Sequence, residues 1–125
     1  RYLHYWRPKV EPMRMPWGAM KPAITYWGVN DKKQWVKQTT HPGKLTENGD
    51  QAIARDLLAH GMMLANREGI DIRLHVHDQV IALHPEKLAK QGLQTLIDCM
   101  EDVPHWAKGL PLGAEGFTDT IFRKD

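Results

Sequence analysis

Apolar positions recur along this chain with two different periods, and the change falls near residue 44. Before it the pattern is that of short strands broken by turn residues. Residues 2–6 are aromatic and aliphatic and are followed by Pro8 and Pro12, which predicts a short strand running into loop. Residues 13–22 hold Pro16, Gly18 and Pro22 and read as loop again. Residues 23–29 and 34–38 flank Asn30-Asp31-Lys32-Lys33, the signature of a β-hairpin, and His41-Pro42-Gly43 closes this arm. Beyond it, Ile53, Ala54, Leu57, Leu58, Gly61, Leu64 and Ala65 form one helical stripe. Asn48, with Gln51 three residues on, has the chemistry to cap the start of that helix, and Gly69 suits its end.

The next segment alternates. Ile72, Leu74 and Val76 fall on one face of a strand, with Arg73, His75 and His77 on the other. A second apolar run begins at Val80, so His77-Asp78-Gln79 is expected at the tip of a hairpin. Pro85 fits the first turn of a second helix, with Leu88, Ala89, Leu93, Leu96, Ile97 and Met100 as its buried stripe. Pro104, Gly109, Pro111, Gly113 and Gly116 interrupt the chain after that helix, and residues 118–122 are expected to form a last strand. The order predicts an α+β fold, an antiparallel sheet with packed helices preceded by a β-hairpin arm.

Composition narrows the class. With 125 residues, 42% hydrophobic and 26% charged, the chain is expected to fold as one globular domain. Cys99 is the only cysteine, which excludes an internal disulfide and points to a reducing, cytoplasmic setting. No apolar run has the length of a membrane span, so no membrane partner is expected. The net charge of +2 conceals an asymmetry: residues 1–44 carry nine Lys and Arg against Glu11 and Asp31, and the remainder is net acidic. That arm also holds Trp6, Trp17, Trp27 and Trp35. Cations interleaved with aromatics suit stacking on nucleotides, and equally the core of a small sheet. The first residue is Arg1 rather than Met, as expected of a processed chain or a piece of a longer one.

Two chemistries compete for His75, His77 and Asp78. Histidines at i and i+2 of a strand point the same way, a spacing used by zinc sites, and His84, Asp56 or His60 could add a ligand. Alternatively, Asp78 at a rigid hairpin tip is a hard oxygen donor of the kind Mg²⁺ takes together with substrate phosphates. That reading requires a second carboxylate from another strand. Glu11 and Asp31 lie outside any suitable strand. Both chemistries compete with a plain turn in which Asp78 is a turn residue.

Several segments resemble one family in order. Gly43-Lys44-Leu45-Thr46-Glu47-Asn48, followed by Gln51-Ala52-Ile53-Ala54-Arg55-Asp56-Leu57-Leu58, resembles the helix before the catalytic hairpin of family A DNA polymerases, bacteriophage members above all. Leu74-His75-Val76-His77-Asp78-Gln79-Val80 resembles their motif C, in which Glu usually stands where this chain has Gln79. Trp106-Ala107-Lys108-Gly109-Leu110-Pro111-Leu112 and Gly113-Ala114-Glu115-Gly116-Phe117 resemble their C-terminal end. Tyr5-Trp6-Arg7-Pro8 and Ile24-Thr25-Tyr26-Trp27-Gly28-Val29-Asn30 are similar to the arm that precedes these elements.

The resemblance implies a division into a basic, Trp-rich β arm (1–43) and a C-terminal palm portion (44–125). It implies Asp78 as a ligand of catalytic Mg²⁺, His77 beside the primer terminus, and Lys44, Asn48 and Gln51 along the minor groove of primer–template DNA. The implied reaction is attack of a primer 3′ hydroxyl on a deoxynucleoside triphosphate by a two-metal mechanism. Motif A and the fingers, which complete that site, are not among these residues, so the chain alone is expected to be inactive. A partner segment carrying them is expected, and self-association in its absence. A split subunit, a trimmed domain and a gene relic all fit such a chain. The rival expectations are a non-catalytic duplex DNA-binding module built on the basic arm and a zinc hydrolase using His75, His77 and His84.

Overall fold

Short runs rich in Trp, Val, Ile and Thr, punctuated by Gly, Asn and Pro, pair locally into hairpins. In the computed structural model, which describes residues 2–122, they do so three times, in two sheets. The element order is β1 (Trp6–Arg14), β2 (Met20–Val29), β3 (Trp35–Thr40), α1 (Pro42–Arg67), β4 (Asp71–Val76), β5 (Gln79–Leu83) and α2 (Ala89–Glu101). Single 3₁₀ turns lie at Glu86–Leu88 and His105–Ala107. The fold is α+β, with a three-stranded antiparallel sheet β1-β2-β3 and a separate two-stranded one, β4-β5. The chain divides into two compact units between Ala52 and Ile53.

In the first unit β1 and β2 are longer than the sequence predicts. Residues 2–5 form no strand, whereas Pro8 and Pro12 lie within β1 and Pro22 within β2. The sheet tolerates them because β1 is an edge strand and Pro12 pairs with Pro22. An antiparallel ladder alternates pairs that exchange N–H bonds with pairs that do not, and the second kind asks neither residue for a donor. A bulge between Trp6 and Lys9 takes up one residue, with Arg7 at φ +49°. The turn between β2 and β3 is fixed by Asn30, whose backbone carbonyl and side-chain oxygen accept from Lys33 and Gln34. Beneath one face of this sheet, Leu3, Tyr5, Pro8, Ile24, Tyr26 and Leu45 line an apolar hollow, with Tyr5 edge-on to Tyr26.

α1 starts at Pro42, well before the position expected from Asn48. His41 Nδ1 accepts from the Lys44 amide, and Pro42 occupies the first helical position, where a missing N–H costs nothing. Asn48 is therefore an interior residue and not a cap. The far end is as expected: Gly69 at φ +82° lies just past the helix, with Gly69 N–H donating to Asn66 O and Ile70 N–H to Ala65 O. Those two bonds make a Schellman motif.

In the second unit Ala65, Ile70 and Cys99 form the buried cluster, flanked by Leu64, Ile72, Ala82 and Leu96. Cys99 replaces Leu88 as a core contributor; Leu88 ends the 3₁₀ turn before α2 and is half exposed. Gly61 sets how closely α1 meets α2, since a Cβ there would lie 3.0 Å from both Cys99 O and Met100 Cα. Beyond α2, the Ala114 amide donates to Glu101, and a Cβ on Gly116 would meet Leu93 at 2.8 Å. Residues 118–122 form no strand and are exposed, contrary to the sequence expectation.

Candidate functional site

β4 and β5 are joined by two residues, His77 and Asp78, so the polar centre of the motif stands at the tip of a tight hairpin. His77 has φ +54°, a left-handed backbone that costs most side chains about 1–2 kcal/mol. A turn of this length demands a positive φ, and glycine would meet the demand without strain. Here histidine occupies it. Asp78 is exposed, and among the described residues none hydrogen-bonds or ion-pairs with its carboxylate. A hard, unshared oxygen donor is therefore held on a short rigid loop.

The faces of β4 differ from simple alternation. Ile72 pairs with Ala82 and Leu74 with Ile81, so a bulge absorbs Arg73. Ile72 and His75 consequently share one face with Ala82 and Val80, and Ile72 and Ala82 flank the core. Leu74 and Val76 turn to the other face, where they are 49% and 47% exposed. The expectation that Ile72, Leu74 and Val76 share one side is corrected by this one extra residue.

The histidines do not converge. His75 Nδ1 lies 3.3 Å from Arg55 Nη1, where the ring nitrogen accepts from the guanidinium. His77 belongs to the turn and has left the strand parity that would align it with His75. His84 packs on Gly92 of α2, where an added Cβ would come within 2.5 Å of its ring. His60 binds Asp102 at 2.8 Å. Among the described residues no three His, Cys, Asp or Glu side chains come together to hold a metal ion. The zinc set His75, His77 and His84 is thus not assembled.

Lys44, Asn48 and Gln51 recur at i, i+4 and i+7 on α1, which places them along one side of the helix. Lys44 pairs with Glu47 at 3.0 Å, and Gln51 donates to the same Glu47 at 3.2 Å. Asn48 donates to the Tyr5 hydroxyl at 2.8 Å and is half buried, so its amide is partly committed to the fold. Lys44 and Gln51 remain exposed. Sequence reasoning passed over Glu47, although its spacing of three and four residues to these partners signals the pairing.

No protein-family model matches the chain, and no solved structure matches it. Over all 125 residues it is 38% identical to the DNA polymerase of Bacillus phage SP02, of which it spans 18%. No described helix is long and apolar enough to cross a membrane. The likeness first seen in separate segments therefore extends along the whole chain, which is similar throughout to one part of a phage DNA polymerase.

Proposed function

We infer that the chain is the C-terminal palm portion of a family A DNA-directed DNA polymerase, with residues 1–43 as a β arm and 44–125 as the palm part. The observation that carries this reading is Asp78 at the exposed tip of the two-residue turn, in a chain similar over its full length to a phage DNA polymerase. Mg²⁺ takes one or two protein carboxylates and completes its shell with water and phosphate, so one free hard oxygen donor fits its requirement in part. Asp78 would hold that ion, which when bound supplies charge stabilisation at the reacting phosphate. The second carboxylate would come from an upstream segment carrying motif A, and the incoming deoxynucleotide would be held by the fingers. Gln79 keeps hydrogen-bonding capacity where the family usually has Glu but adds no charge.

His77 stands next to Asp78 at the same exposed tip, with its backbone in a left-handed conformation, and its role would be to position the primer end. Lys44 and Gln51 would follow the duplex from the exposed side of α1, with Asn48 contributing the part of its amide that Tyr5 leaves available. Amides in the minor groove read base edges that differ little between sequences, as copying requires. The exposed aliphatic face of β4–β5 agrees with a sheet that continues into polypeptide outside this chain.

Primer extension tests the reading. The chain is assayed alone and mixed with an upstream polymerase fragment bearing motif A and the fingers. Extension is expected only in the mixture, and Asp78→Ala lowers it by about a thousand-fold or more, the loss of several kcal/mol of transition-state stabilisation. Extension that survives Asp78→Ala refutes the assignment of the metal ligand.

A further inference from the structure

We propose that the outer face of the β1-β2-β3 sheet is a stacking surface for single-stranded DNA, built from Trp6, Trp27 and Trp35 with Lys37 among them and Lys9 in the flanking row. The register places these side chains together. Trp6 pairs with Trp27, and Trp27 with Lys37, in one row across three strands. Trp35 pairs with Val29 in the next row, and Lys9 with Thr25 in the row on the other side. Directly paired residues share a face, and residues two apart on a strand share it too, about 7 Å from one another. The opposite face carries Pro8, Ile24 and Tyr26 and lines the apolar hollow, so the tryptophans are not the sheet's own core.

Their exposure agrees. Trp6 is 59%, Trp35 56% and Trp27 38% exposed. Along β3 exposed and half-buried positions alternate strictly, with Trp35 and Lys37 on the exposed side. Among the described residues, none of the three indoles makes a ring–ring or cation–ring contact with another side chain. Large flat rings are thus presented to solvent without partners. The charge decides between occupants. Lysine is depleted from the centres of protein–protein interfaces, whereas it is the usual companion of aromatic platforms that bind unpaired strands. Among the described residues Glu11 is the one acidic group on this face, and it is engaged by Lys37 and Thr25. The Lys32-Lys33 turn extends the positive charge past the tryptophan end of the sheet.

Duplex DNA buries its bases and offers such rings no face, so the surface selects single strands. The assignment does not depend on Asp78 or on the polymerase reading. It is tested on the 125-residue chain with a labelled oligodeoxythymidine, by anisotropy and by quenching of tryptophan fluorescence, beside a duplex of equal length. Binding to the single strand with quenching is expected, and Trp6→Ala and Trp35→Ala each weaken it about ten-fold. Trp35→Tyr, which keeps a ring, restores most of the loss. Lys9→Gln lowers the salt dependence of binding. Trp106→Ala, an equally exposed indole of the second unit, leaves binding unchanged. Equal affinity for duplex, binding indifferent to Trp6→Ala and Trp35→Ala in variants with unchanged circular dichroism, or absence of binding overturns the proposal. So does a dimer that Trp35→Ala dissociates, which would give the face to a second copy of the chain.

Discussion

The two sheets of this molecule solve the same problem to the same extent and leave different remainders. Each packs one face and exposes the other. The three-stranded sheet exposes tryptophan and lysine, and the β4–β5 hairpin exposes Leu74, Val76 and Leu83. A largely aliphatic face, whose one paired charge is Asp71 at its far end, held by Arg73, gains chiefly from cover by other apolar surface. A face of rings and cations gains from stacked, anionic partners. Exposure alone therefore assigns nothing, and the chemistry of the exposed residues separates a surface that meets polypeptide from one that meets nucleic acid.

That contrast can be broken or sharpened by four changes. The largest effect is expected at Gly61, where a methyl group would press on the α2 backbone. Gly61→Ala should lower stability by about 1–3 kcal/mol in thermal unfolding, the usual cost of overpacking. The indole fluorescence of the three-stranded sheet should change later than the transition of the second unit. Next is association: the isolated chain should sediment as a dimer or larger assembly at high concentration, and Leu74→Glu should shift it toward monomer about ten-fold. A wild-type monomer would end the reading of the aliphatic face.

His77→Gly should come third. Relief of the left-handed backbone raises stability by about 1 kcal/mol, while primer extension in the complemented enzyme falls. Stability and activity moving in the same direction would remove the functional reading of the strained turn. The smallest effect concerns Glu11. The hydrogen bond from Lys37 holds its carboxyl below the ordinary value, so its contribution to the first unit is complete at neutral pH and fades as acid titrates the folded carboxylate. The difference in melting temperature between wild type and Glu11→Gln should therefore shrink on acidification below the usual carboxylate range and be constant above it.

Much of this architecture was legible because local signals agreed with each other. The β2–β3 hairpin, the Gly69 terminus and the tip at His77-Asp78 rest on turn residues flanking periodic segments, and the helical stripe holds from Leu57 to Ala65, whereas Ile53 and Ala54 at its predicted start are exposed. Failures arose where one signal mimicked another. Asn48 and Gln51 resemble a cap, and Gly43 and Gly49 weaken the helical pattern, so the first turns of α1 went unread although His41 and Pro42 marked its start. Pro8 and Pro12 look like loop until their pairing is known. The bulge at Arg73 is invisible to alternation because the residues around it, Leu74 and Val76, are apolar on the exposed side. For the candidate site, the exposed turn position of Asp78 was readable from sequence; the engagement of Asn48 by Tyr5, 43 residues away, was not.

The facing prolines of β1 and β2 carry one more consequence. Because Pro12 sits in a pair that exchanges no N–H bonds, its nitrogen points outward from the free edge of β1, at the place where a further strand would look for a donor. The edge is thereby unable to template a growing ladder there. The β1 edge therefore keeps the outward donors of Val10 and Arg14 but loses the one between them, an interruption that opposes the open-ended strand addition that leads to fibres.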